Sequence, residues 1–230
     1  MSELRIALVA EGPTDYALIH AALQAILPRS FVLTQLQPEA TQPHMGAGWG
    51  GVMKWCDAVG QRHAGSLDDD PLLGGVDLLI IHLDVDVAGS CYAQCGPAVE
   101  AMAAAKGWAA LPCTQPCPPV GDSVTPLAAA LHSWLGQAHT GHKTILCLPA
   151  QSTGTWLAAA ALPQGHALLA GAECHRDLEA RLGQLAKGQK IRKTVRDYRA
   201  FAHRVVDNWA TVKALCSQAQ AFERAVLAAI

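Results

Sequence analysis

The chain carries little charge and few aromatic side chains for its length. Of its 230 residues, 16% are Asp, Glu, Lys or Arg and 5% are aromatic. A formal net charge of −2 excludes the strongly basic balance of a protein that binds nucleic acid by overall charge. No run reaches the ~18 uninterrupted apolar residues that a bilayer crossing requires. The first residues show no basic, apolar and cleavage-site succession, because Glu3 and Arg5 lie in the opening apolar stretch. A cytoplasmic location and no membrane partner are therefore expected. The phosphate-cradling pattern GxxxxGK[ST] is absent, which excludes a P-loop nucleotide site. None of the eight cysteines forms a CxxC pair, so a thioredoxin-type redox centre is not expected.

The most informative stretch is Val76 to Asp86, a nearly continuous apolar run that ends in Asp84 and Asp86. A strand covered on both faces reads as such a run, whereas a half-exposed strand alternates. In open α/β sheets, ligands bind just beyond the carboxyl ends of the strands. Residues two apart on a strand point to the same side, so Asp84 and Asp86 are expected to converge. Two carboxylates that close repel unless a cation lies between them. Hard oxygen donors suit Mg²⁺ or Mn²⁺. A turn cap would account for one Asp but not for two.

The same logic applies near the N-terminus. Leu4 to Ala10 reads as a buried strand running into Glu11-Gly12-Pro13-Thr14-Asp15 and an apolar helix from Tyr16 to Leu27. Gly12 permits a tight turn, Thr14 suits an N-cap and Asp15 suits the first helical turn. Glu11 thus lies on the same sheet edge as Asp84 and Asp86, with no capping task to explain it. A second strand is expected over Ser30 to Gln37 and a fourth over Lys143 to Leu148. Helices are expected over 52–63, 97–106, 127–137 and 155–162, and from Glu173 onward the pattern is helical. The stretch Gly48-Trp49-Gly50-Gly51 needs conformational freedom or brings backbone close to a neighbour. Asp68-Asp69-Asp70 reads as a solvated turn.

These elements predict an α/β fold with a small, mainly parallel sheet of about four strands between helices. Residues 1–165 form the core, and 166–230 form a helical C-terminal extension packed on it. The cysteines are expected as free thiols. Cys91, Cys95, Cys113 and Cys117 form two tandem pairs in a proline-rich stretch, with structural zinc as a secondary reading. From Lys187 to Arg204 the chain carries seven basic residues against Asp197 alone. Lys190, Arg192, Lys193 and Arg196 are the candidates to contact nucleic-acid phosphates, with a solvated helix face as the plainer account.

Glu11-Gly12-x-x-Asp15 after one strand, with Asp84-x-Asp86 after a later one, resembles the Toprim domain. The wording from Val9 to Asp15 is most similar to small stand-alone Toprim-like proteins near the overcoming-lysogenization-defect (OLD) nuclease family. The resemblance covers about residues 4 to 162. It implies a Toprim-like Rossmannoid fold and Mg²⁺ or Mn²⁺ held by Glu11, Asp15, Asp84 and Asp86. It also implies phosphodiester cleavage with Glu11, Asp84 and Asp86 as catalytic groups. A basic residue at the scissile phosphate is implied too, for which Lys190 is taken and Lys193 competes. The implied role is a nuclease in a bacterial anti-phage defence or DNA-processing system, with nucleic acid as substrate and an ATPase as partner. One departure stands out. Such relatives would carry an acid shortly before Trp156, where this chain has Ser152-Thr153-Gly154-Thr155. Two alternatives remain: a haloacid-dehalogenase-like phosphatase with Asp84 as nucleophile and Asp86 as general acid, or a Toprim-like subunit that binds without strong catalysis.

Overall fold

The computed structural model describes residues 3–39 and 41–230. Strand β1 (Leu4–Val9) leads into helix α1 (Pro13–Ile26) and strand β2 (Phe31–Gln37). Helix α2 (Gly48–Arg62) precedes a two-residue strand β3 (Gly65–Ser66) and strand β4 (Leu78–His82). Helices α3 (Pro97–Lys106) and α4 (Gly121–Trp134) follow, then the short β5 (Ala138–His139) and β6 (Thr144–Cys147). Helix α5 (Thr153–Ala161) comes next. The C-terminal region holds α6 (Leu178–Leu182), α7 (Val195–Asp207), α8 (Trp209–Leu215) and α9 (Ser217–Ala229).

The main sheet is parallel throughout, in the order β2-β1-β4-β6. Strands β1 and β4 occupy its centre, with Ile6 opposite Leu78 and Leu8 opposite Ile80. Their side chains divide between two cores. Ile6, Leu8, Leu78 and Ile80 face one layer together with α1 and α5. Ala7, Val9, Leu79 and Ile81 face the other, together with α2 and α4. Covering both faces is why these strands tolerate no polar alternation, and each Leu or Ile buried contributes about 1.5–3 kcal/mol.

The C-terminal helices share the first core rather than building their own. Tyr198, Val205, Trp209 and Phe222 are buried with Leu18 and Trp156. Trp156 meets Trp209 edge-on at 5.5 Å and Phe222 at 5.6 Å between ring centroids. Among the described residues no helix is long and apolar enough to cross a membrane.

Several local expectations change. Helix α1 starts at Pro13, whose missing N–H costs nothing in a first turn, so Thr14 lies inside the helix and Gly12 is the cap. Helix α4 begins at Gly121 and contains Pro126. The glycine-rich stretch from Gly48 to Gly51 belongs to α2 rather than to a loop.

The triple Asp is not a solvated turn. Asp70 is buried and ion-paired to Arg62 at 2.6 Å, and it accepts the N–H of Leu72 at 3.0 Å. Burial works to raise its pKa, but the hydrogen bonds from Arg62 and Leu72 prevail and hold it below its usual value. Asp68 accepts the backbone N–H groups of His142 at 2.7 Å and Lys143 at 3.1 Å, which fixes the chain entering β6.

The free-thiol expectation is also corrected. Cys117 is disulfide-bonded to Cys174, 57 residues away, because the proline-rich stretch folds against the turn before α6. With Cys117 so committed, the two tandem pairs cannot supply four thiolates to a zinc ion. Among the described residues, the one metal-competent cluster contains no cysteine.

Candidate metal centre at the carboxyl ends of the strands

The chain passes from β1 outward to β2, returns across the sheet to β4 and continues outward to β6. The direction of winding therefore reverses between β1 and β4. That reversal opens a crevice at the carboxyl ends of the two strands, where α/β sheets bind ligands. Glu11 lies two residues beyond β1 and Asp84 two beyond β4, so register alone brings them together. The Glu11 Oε1 atom accepts the N–H of Asp84 at 2.8 Å.

Strand β4 ends at His82, earlier than the apolar run suggested, and Asp84 opens a 3₁₀ turn over Val85–Gly89. This turn sets the two Asp residues apart. Asp84 is buried and Asp86 is exposed at the rim. The ring nitrogen Nε2 of His82 lies 3.0 Å from Asp84 Oδ1, and the Nδ1 atom of this fully buried ring has no partner. Ligand atoms of Glu11, His82 and Asp84 all lie within 4.8 Å of one another. Burial first, and then the charge of Asp84, holds the Glu11 carboxyl well above the usual carboxylate range. Burial first, and then Asp15 and Asp86, does the same to Asp84. A half-buried and a buried acid placed this close retain a proton or require a cation.

Helix α5 closes the site from the fourth strand. Its first residue, Thr153, donates its backbone N–H to Asp84 Oδ1 at 3.2 Å and its hydroxyl to Asp15 Oδ1 at 2.7 Å. The helix N-terminus thus points its partial positive charge at Asp84. Asp15 is buried on α1 and joins the cluster through Thr153. It is not among the three residues whose ligand atoms converge.

Next to Thr153 lies a group that the sequence did not reveal. A Cβ on Gly154 would fall 2.5 Å from the Oε1 atom of Glu179, so the carboxyl of Glu179 occupies the space of a side chain at position 154. Helix α6, only five residues long, therefore delivers an acid beside the stretch Ser152 to Thr155, which has none. Glu179 is held by the Tyr198 hydroxyl and by Lys193 Nζ at 2.6 Å. Burial works against the Lys193 charge, but Glu179, then Asp84 and Asp15, outweigh it and raise its pKa above the ordinary value.

Of the predicted residues, Glu11, Asp15, Asp84, Asp86 and Lys193 gather here. Lys190 does not: it precedes α7 and makes no ion pair with the described residues. Arg192 and Arg196 are exposed beside it. His82 and Glu179 were not foreseen. His82 reads as one more member of an apolar strand, and nothing local links Glu179 to position 154.

The start of α2 also borders the site, since Gly48 donates its N–H to the Glu11 carbonyl at 2.7 Å. Gly46, Gly48 and Gly51 have the GxGxxG spacing, yet the stretch does not follow directly on a strand. Its inner glycines answer to close packing: a Cβ on Gly50 would meet Cys95 Sγ at 2.8 Å, and one on Gly51 would meet Gln37 Nε2 at 2.5 Å. Comparison with family models, curated proteins and solved structures gave no match to this chain.

Proposed function

We propose that the chain is a Mg²⁺- or Mn²⁺-dependent phosphodiester hydrolase of the Toprim type, a nuclease working with an ATPase partner in anti-phage defence or DNA processing. The observation that carries this reading is the contact of Glu11 and Asp84 at the point where the sheet reverses, with a raised pKa on both. The donors fit a divalent cation. Glu11 and Asp84 would hold it from the two central strands, with His82 within reach of the same point. When bound, such a cation stabilises charge developing on phosphate oxygens and lowers the pKa of a bound water.

The chain's own residues then divide the remaining work. Thr153 fixes the orientation of Asp15 and Asp84 through one hydroxyl and one backbone N–H. Lys193, rather than Lys190, is the cation next to the acids and takes the place facing the scissile phosphate. Glu179 and Tyr198 hold that ammonium in place. Half-buried Lys190 and the exposed Arg192 and Arg196 extend a basic surface along the route a nucleic acid would take.

A phosphatase using Asp84 as nucleophile is less well supported. Asp84 is buried, and its Oδ1 lies within hydrogen-bond distance of two nitrogen groups. A nucleophile needs an unhindered oxygen toward its substrate. The test is Mn²⁺ calorimetry on wild type and Asp84→Asn, followed by cleavage of plasmid and single-stranded oligonucleotides. Binding lost in the variant, with cleavage by the wild type alone, is the expected result. Binding without cleavage of any substrate would favour a binding subunit, and no binding would end the metal reading.

A further inference from the structure

A cavity of about 400 Å³ adjoins the acid cluster on its exposed side. Val85 and Asp86, which follow directly on Asp84, line it, as does Gln151. The volume lies within the roughly 300–1,000 Å³ of small-molecule sites. Its wall is polar and mixed in sign, built from Asp86, Ser90, Thr114, Gln115, Gln151 and Arg176. Amides and hydroxyls both donate and accept.

The wall is also held rigidly. Buried Ser123 brackets the Gln115 backbone, accepting its N–H at 2.8 Å and donating to its carbonyl at 3.3 Å. The N–H groups of Cys113 and Thr114 both bond to the Ala88 carbonyl, at 2.7 and 3.0 Å. The Cys117–Cys174 bridge joins this loop to the segment that carries Arg176.

A second observation marks the same place. Gln151 has φ of +59° and is the one non-glycine residue with positive φ among those described. Its carbonyl accepts the N–H of Asp86 at 3.1 Å, and its side chain donates to the Glu173 carbonyl at 3.3 Å. A non-glycine residue in the left-handed region is strained and persists where its surroundings or function demand it. Here the strain fixes both Asp86 and one wall of the cavity.

We infer that this cavity is a nucleobase pocket, which receives the base next to the phosphodiester presented to the acid cluster. The inference rests on the phosphodiester reading of that cluster. A planar base with donors and acceptors along its edge matches the amides of Gln115 and Gln151 and the hydroxyls of Ser90 and Thr114. Arg176 makes no ion pair with the described residues. Its guanidinium plane is free to stack on the base or to meet a flanking phosphate. A purely anionic ligand would face Asp86, and an aliphatic one would cover the Ser90 and Thr114 hydroxyls without giving them a partner.

The experiment is calorimetry with the four 5′-ribonucleoside monophosphates and with ribose 5-phosphate as the base-free probe, alongside a separate Mn²⁺ titration. At least one nucleotide should bind ten-fold or more tightly than ribose 5-phosphate. Thr114→Trp, at an exposed position, should abolish that preference by filling the cavity while Mn²⁺ affinity stays within two-fold. Gln115→Ala should reduce the preference or change which base is favoured. Equal affinity for nucleotides and ribose 5-phosphate, no nucleotide binding, or a preference that survives both substitutions would overturn the inference. Loss of the metal reading shows separately, as absent Mn²⁺ binding in the wild type.

Discussion

Glu11 and Asp84 lie 73 residues apart in the chain, yet the carboxyl of the first accepts the N–H of the second. Both acids hold their protons more tightly in the folded protein than the usual values of about 4.3 for Glu and 3.9 for Asp. Between those values and the raised folded ones, the native state binds more protons than the unfolded chain. Stability contributed by this pair is then lost as pH rises, and the effect vanishes below about pH 4, where both states are protonated. With chelator present, the urea midpoint of wild type minus that of Asp84→Asn should therefore fall between pH 5 and 8. Saturating Mn²⁺ should reverse that slope, because a cation takes over the neutralisation. A difference that is flat with pH in chelator would remove the claim that burial, and then the neighbouring charge, disfavours the ionised forms of these acids.

Lys193 and Lys190 make a paired comparison. Lys193 sits among Glu179, Asp84 and Asp15, whereas Lys190 has no such neighbours. Lys193→Met should lower the cleavage rate by about 10²–10³, the cost of removing one group aimed at transition-state charge. Lys190→Met should change it less than three-fold and weaken binding slightly. Lys193→Arg, which keeps the positive charge, should restore part of the activity. Equal rates for the two methionine variants would return the choice between them to open ground.

The central strands were legible because burial on both faces forces apolar runs, and the parallel sheet followed from their alternation with helices. The acids at the ends of β1 and β4 were legible for the same reason, since each interrupts a run with no cap to make. What lay beyond local pattern was missed. Asp86 parts from Asp84 because a 3₁₀ turn, not a strand, carries it. Glu179 comes from a five-residue helix whose position depends on the packing of α7. The burial of Asp70 depends on Arg62, one helix away, and the partner of Cys117 is 57 residues distant. Pairings of this kind leave no periodic trace.

The Cys117–Cys174 bridge closes a long loop that includes α4, β5, β6 and α5. Restricting such a loop in the unfolded chain is worth about 4 kcal/mol by the chain-entropy relation. Cys117→Ser with Cys174→Ser should lower the unfolding free energy by an amount of that order, with lost nucleotide preference in the adjoining cavity. Thiol titration of the denatured, unreduced protein should find six reactive groups, the number of free cysteines. Eight would mean that the bridge does not form.

In the second core one hydroxyl serves two partners. Tyr92 accepts the indole N–H of buried Trp134 at 2.9 Å and donates to the Ala109 carbonyl at 2.7 Å. Its ring also lies 5.7 Å from that of Trp108 and 6.3 Å from that of Trp49. Tyr92→Phe keeps the ring contacts and removes only the oxygen. It leaves a fully buried indole N–H without an acceptor, which costs about 1–3 kcal/mol. The urea midpoint should fall by a corresponding amount with an unchanged m-value, since the surface exposed on unfolding is the same. Mn²⁺ affinity should be unaltered, because Tyr92 is not among the residues that meet Glu11 or Asp84. A loss of stability below about 0.5 kcal/mol would mean that Trp134 finds another acceptor. A fall in m would instead point to a loosened layer around α4 rather than a single missing bond.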